Sequence, residues 1–174
     1  MATKSSRVDQ YANIAAIQVS ETVADTIAFA KFAFPFSIMD KMALIISRIE
    51  YIFASLTPLN TGGDYVIMGL TVSNSSGIDL TVPNDPQIID TSRIDRYDFG
   101  TAATGLFRDS PVVKDFSSLP GGGLLVAPNP LYAAIDSNGA GAVCGGWLRA
   151  YYTYMELSTD EYWQLVESRR IISS

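Results

Sequence analysis

The apolar positions of the chain fall into many short runs, separated by turn-forming residues at intervals of roughly 8–12 residues. Residues 11–19 form a mixed apolar run that predicts a short strand. In 22–34, Val23, Ile27 and Phe29 fall on one parity and Ala28, Ala30, Phe32 and Phe34 on the other. That predicts a strand buried on both faces, or one that changes face along its length, ended by Pro35. Ser37 to Asp40 reads as a capping-box variant, and Ile38, Met42, Ile45 and Ile46 recur at helical spacing, so a helix is expected near 38–47. From Arg48 the pattern alternates: Ile49, Tyr51 and Phe53 face one way, Arg48 and Glu50 the other, which is a strand.

After the turn at 60–63, residues 65–72 predict a clear strand. Pro83 and Pro86 restrict 79–92 to loop or edge strand. Short strands are expected at 93–99, 104–108, 111–116, 124–127 and 131–135. The longest covers 142–157. Ser158-Thr-Asp-Glu161 then forms a full capping box, with Asp160 and Glu161 at the positive end of a helix near 159–170 and Arg169 and Arg170 near its negative end. Many short strands with little helix predict a mainly β sandwich or barrel. The organisation expected is a flexible N-terminal arm, 1–10, followed by one domain, 11–174.

Composition narrows the chemistry. Among 174 residues there is no histidine and one cysteine, Cys144. Ser-His-Asp triads, Cys-His dyads and histidine-ligated metals are therefore excluded. Charged residues make up only 17%, below the usual quarter, which fits a surface covered by neighbouring copies or a neutral Ser/Thr/Asn surface. Net charge is -6, and Lys4 and Arg7 are the only N-terminal basic excess, so direct nucleic-acid binding is not expected. The start of the chain has no signal-like apolar core, and the run at 27–39, broken by Lys31 and Pro35, is too short to span a bilayer.

The remaining motifs read as structure. Gly121-Gly122-Gly123 lacks the lysine and hydroxyl of a phosphate loop and reads as a turn. Asp79, Asp85, Asp90, Asp95 and Asp98 could offer oxygens to calcium, but they lack EF-hand spacing and have Arg93 and Arg96 interleaved to pair with them. Cys144 reads as a small buried hydrophobe. No cofactor or metal site is expected. Tyr151, Tyr152, Tyr154, Tyr162 and Trp163 form an aromatic cluster whose alternation splits it between faces, favouring core and subunit packing over a sugar platform.

Three blocks together carry a resemblance: SIMDKMALIISRIEY at 37–51, FSSLPGGGLLVAPNPLY at 116–132 and RAYYTYMELSTDEYWQLVESRR at 149–170. They resemble small capsid proteins of tailless icosahedral viruses of prokaryotes and environmental genomes. The resemblance implies a single jelly roll of about eight strands in two facing sheets, with one inserted helix and one C-terminal helix. It also implies a structural protein without catalytic residues, found in the virion and assembled in the host cytoplasm. Its partners would be other copies, with a second capsid or membrane-associated viral protein to meet the genome. Subunit-interface residues are expected at Tyr162, Trp163, Arg169 and Arg170, with Lys4 and Arg7 in the arm as a second tie. A carbohydrate-binding β-sandwich is the main alternative, and a carboxylate-only glycosidase a third.

Overall fold

A computed structural model describes residues 6–7, 12–34, 41–55, 64–82, 84–95, 111–127 and 130–172. The described chain is mainly β: β1 (Ser6–Arg7), β2 (Asn13–Ser20), β3 (Ala28–Lys31), β4 (Met42–Ser55), β5 (Tyr65–Thr71), β6 (Ile88–Asp95), β7 (Val112–Asp115), β8 (Leu124–Val126), β9 (Tyr132–Asn138) and β10 (Gly145–Glu156), then the helix α1 (Thr159–Ile172). Two antiparallel sheets face each other as a β-sandwich. In the first, β10 pairs with β4 on one side and with β1 and β2 on the other, while β7 and β8 share the far edge of β4. The second has the order β3-β9-β5-β6. Most connections cross between the sheets, and among the described strands only β5 and β6 are both neighbours in sequence and hydrogen-bonded partners.

Alternation drives the packing. Leu44, Ile49, Tyr51 and Leu148 from the first sheet meet Val66, Met68, Leu70 and Ile135 from the second in one continuous core. Each such side chain contributes roughly 1.5–3 kcal/mol by leaving water. Cys144 is fully buried in this core, as its flanking sequence suggested. Gly146 lets the sheets approach: a Cβ there would lie 2.5 Å from the Ile52 carbonyl oxygen and 2.7 Å from Met68 Sδ.

The helix expected over 38–47 is corrected by the structure. Residues 42–47 belong to the 14-residue strand β4, and 38–40 lie outside the described residues. Two features imitate helical spacing. Both faces of this segment are buried: Leu44 and Ile46 enter the core, while Ala43 and Ile45 are covered on the other side. The register then slips by one residue opposite Tyr151/Tyr152, a bulge at Ser47 whose Oγ donates to the Tyr151 carbonyl at 3.2 Å. The bulge reverses which parity points inward, so the apolar period is neither 2 nor 3.6 across the segment.

Other boundaries also move. Residues 22–25 turn rather than extend, leaving four residues of β3, which is lined on both faces as its double parity predicted. The loop-or-edge region 79–92 closes into edge strand β6, with Pro86 just before it and Pro83 outside the described residues. The 104–108 strand and the arm residues 1–5 and 8–10 also lie outside the described residues; Ser6 and Arg7 pair with Glu156 and Met155.

Helix α1 follows its capping box. Glu161 N–H donates to Ser158 Oγ at 3.3 Å, and Ser158 N–H donates back to Glu161 Oε2 at 2.9 Å. Tyr162, with Leu157 and Ala43, forms a separate apolar cluster joined by Met155 and Leu165. Ala43 and Met155 are register partners on the outward side of the first sheet, so α1 covers one end of that face.

Carboxylates gather where β2, β5 and β9 end. A Cβ on Gly139, whose φ is +74, would sit 2.1 Å from Asp64 Oδ1, so glycine is required both for backbone and for space. Half-burial, reinforced by the charges of Glu21, Asp79 and Asp25, holds the Asp136 carboxyl above its ordinary value despite a backbone hydrogen bond from Ser137. The folded state thus binds this proton more readily than the unfolded chain, and ionised Asp136 opposes folding at neutral pH. Asp136→Asn is expected to raise the melting temperature at pH 7 by at most about 2 °C, given its partial exposure. That gain should shrink once the pH falls below the raised folded-state pKa and be gone below the ordinary carboxylate value, which melting curves at several pH values will read.

Candidate interaction surface

The two outward faces of the sandwich are finished differently. On the second sheet, Ile67 and Ala134 pack under Ile78 and Leu80 of the β5–β6 connection, with Ile27, Phe29 and Tyr65 alongside. Gly69 admits this cover, since a Cβ there would lie 2.9 Å from Leu80 Cδ2. On the first sheet the cover is α1, seated at the Ala43–Met155 end. Beyond it the face carries side chains with large exposed areas.

That open floor follows from register. Trp147, Arg149 and Tyr151 alternate along β10, facing Gln18, Ala16 and Ile14 of β2 and Ile52, Glu50 and Arg48 of β4. Trp147 is 40% exposed, and Ile14 on β2 and Val113 on β7 are also exposed. Glu50 lies beneath two guanidinium groups: Arg48 Nη2 donates to its Oε1 at 2.5 Å, and Arg149 Nη1 approaches Oε2 at 3.6 Å. Arg48 also stands over the Tyr151 ring, 5.1 Å from its centroid, a cation–π geometry. The arginine side chains are 44% and 48% exposed against 6% for Glu50, so two guanidinium groups stand accessible here although the chain is acidic overall. Asp115 sits beside Arg48 at the β7 rim.

The residues expected at a subunit interface divide. Trp163 is 55% exposed and packs edge-on against Tyr162, ring centroids 5.9 Å apart. Tyr162 is only 3% exposed; its ring seats α1 on its own sheet. Arg169 and Arg170 lie in the last turns of α1, with side chains outside the described residues. Arg7 takes part in β1 through its backbone, and Lys4 is outside the described residues. The tyrosines separate by face as the alternation predicted: Tyr152 and Tyr154 turn to the core, where Tyr152 meets Phe34, and Tyr151 turns outward. Arg48, Glu50, Trp147 and Arg149 were not singled out from sequence as a site. Their signal was the position of Arg48 and Glu50 opposite Ile49 and Tyr51, but the partner strand that completes the group is almost a hundred residues away.

The loop acids are engaged locally. Asp79 accepts from Thr81 N–H and Oγ1–H, Asp85 from Gln87 N–H, and Asp95 pairs with Arg93, while Asp90 joins Tyr51 and Lys114. Asp98 and Arg96 lie outside the described residues. Among the described residues no helix is long and apolar enough to cross a membrane. No known family model and no curated protein matches the chain.

Proposed function

We propose that this chain is a structural protein: a single jelly roll whose copies assemble through lateral contacts into an icosahedral capsid, without binding the genome itself. The observation that carries the reading is the strand order. A sheet ordered β2-β10-β4 and then β7 with β8, facing one ordered β3-β9-β5-β6, supports the jelly-roll reading, because a pair of Greek keys interleaves strands in this way. That fold hosts many functions, so the capsid assignment rests further on the surface and on the resemblance of the three sequence blocks. An open sheet face with aromatic and aliphatic side chains, beside a helix bearing an exposed tryptophan, supports subunit packing. Low overall charge supports close apposition of copies.

Light scattering on the purified chain, with negative-stain microscopy of the same fractions, tests the proposal. Shells, sheets or tubes are expected. The rival reading, a carbohydrate-binding module, draws on Trp147 and Tyr151, two aromatic residues on one flat face with Gln18 and Arg149 nearby. A monomer that persists across salt and pH and binds glycans saturably would replace the capsid reading with that one.

A further inference from the structure

We propose that the open floor of the first sheet receives the outward stripe of α1 from a second copy of this chain. The inference rests on the self-assembly reading above and names the surfaces that meet. Tyr162 and Leu165 face the helix's own sheet, which leaves Asp160, Trp163 and Glu167 exposed at i, i+3 and i+7 along one side. This stripe presents one large aromatic between two carboxylates. The floor presents Trp147 and Tyr151 around Arg149 and Arg48, with Glu50 sunk beneath the guanidinium groups and Asp115 at the β7 rim beside Arg48. The carboxylates of the stripe are opposite in charge to the exposed guanidinium of Arg149, which lies away from Asp115 on the β10 side of the floor, and each surface carries an exposed tryptophan. They hold both tryptophans of the chain.

Dimensions permit the fit. The floor from Trp147 to Tyr151 is roughly 14 Å long at about 3.4 Å per residue, and a helix with its side chains is about 10 Å across. A helix can therefore lie beside α1 on the same face. Direct sheet-to-sheet packing is blocked, because α1 stands on that face at the Ala43–Met155 end. A two-fold axis running across the strands resolves this: each α1 fills the open end of the other copy's floor, forming one helical layer between two sheets. Such a contact is weak alone and effective when repeated in a lattice.

Acrylamide quenching in the associated and dissociated protein, with single-tryptophan variants Trp147→Phe and Trp163→Phe, reads the contact directly. Both tryptophans should become shielded on association. Glu167→Arg and Arg149→Glu should each lower the association constant about tenfold, and an equimolar mixture of the two should regain most of it. Circular dichroism checks that Arg149→Glu, which sets a second carboxylate beside Glu50, still folds; the quenching result does not depend on that variant. If oligomers form while either tryptophan stays as quenchable as in the dissociated protein, this inference is overturned and self-assembly stands. If no association occurs at any concentration or salt, both fall.

Discussion

Glu21→Ala is expected to destabilise the fold by about 3 kcal/mol and lower the melting temperature by roughly 6–12 °C. Glu21 is 4% exposed at the end of β2, and its carboxylate accepts from Ser137 Oγ–H and from the Cys144 backbone N–H, each at 2.7 Å. Its own N–H donates to the Cys144 carbonyl at 2.9 Å. One side chain thus ties β2 to β9 of the other sheet and to the entry of β10. Truncation leaves two donors buried without the charged acceptor, and desolvated donors cost more than the mean hydrogen bond contributes. The Ser137 hydroxyl can turn toward Asp25 Oδ1, 3.3 Å away, so the Cys144 amide should account for most of the loss. Glu21→Gln keeps one acceptor and should lose about half as much. Thermal denaturation of the three proteins decides. A loss under about 1 kcal/mol for the alanine variant would mean that water replaces the carboxylate at both donors.

The second large effect is at the opposite edge of the sandwich. Tyr51 Oη donates to Asp90 Oδ2 at 2.7 Å, and Lys114 Nζ donates to Asp90 Oδ1 at 2.8 Å and to the Thr91 carbonyl. Tyr51 and Lys114 come from the first sheet and Asp90 from the second, so the network joins the sheets through polar contact. Asp90→Ala should cost about 2 kcal/mol, because it strands a buried hydroxyl and a half-buried ammonium. The triple variant Tyr51→Phe, Asp90→Ala, Lys114→Met should recover most of that loss, since no unpaired polar group remains. A triple variant as unstable as the single one would show that cavity and packing, not lost pairing, set the cost.

Burial first, then the charge and hydrogen bond of Asp90, push the Tyr51 hydroxyl well above its ordinary 10.0. The unfolded chain releases this proton near pH 10 while the folded chain keeps it. Stability is therefore intact below that pH and declines above it, by up to about 1.4 kcal/mol per pH unit from this group. In an alkaline absorbance titration Tyr51 should ionise only as the fold is lost.

Local chemistry was legible where it acts within a few residues. The capping box at 158–161 foretold α1 because its bonds join residues three apart. The strand at 142–157 was legible because its alternation persists over many residues, and β10 occupies most of that span. The segment at 42–47 was not. Its inner side chains answer to the opposite sheet, its outer Ala43 to a helix more than a hundred residues later, and a bulge shifts its parity. Period analysis assumes one buried face, and here there are two.

The same division applies to the candidate interface. That Trp163 would stand on the final helix, and Arg48 and Glu50 on the side of β4 away from Ile49, followed from periodicity alone. Only the fold decided that Tyr162 turns inward while Trp163 remains outside, because the choice depends on where the sheet lies beneath the helix. Only pairing brought Arg149 to Glu50 and Tyr151 to Arg48. Sequence by itself determined the absence of histidine chemistry, the strand-rich class and the C-terminal helix, since composition and short-range periods are properties of the chain. The open floor, the sunken Glu50 and the Glu21 tie were decided by tertiary structure, because each needs groups that chain order keeps apart and strand register brings within bonding distance.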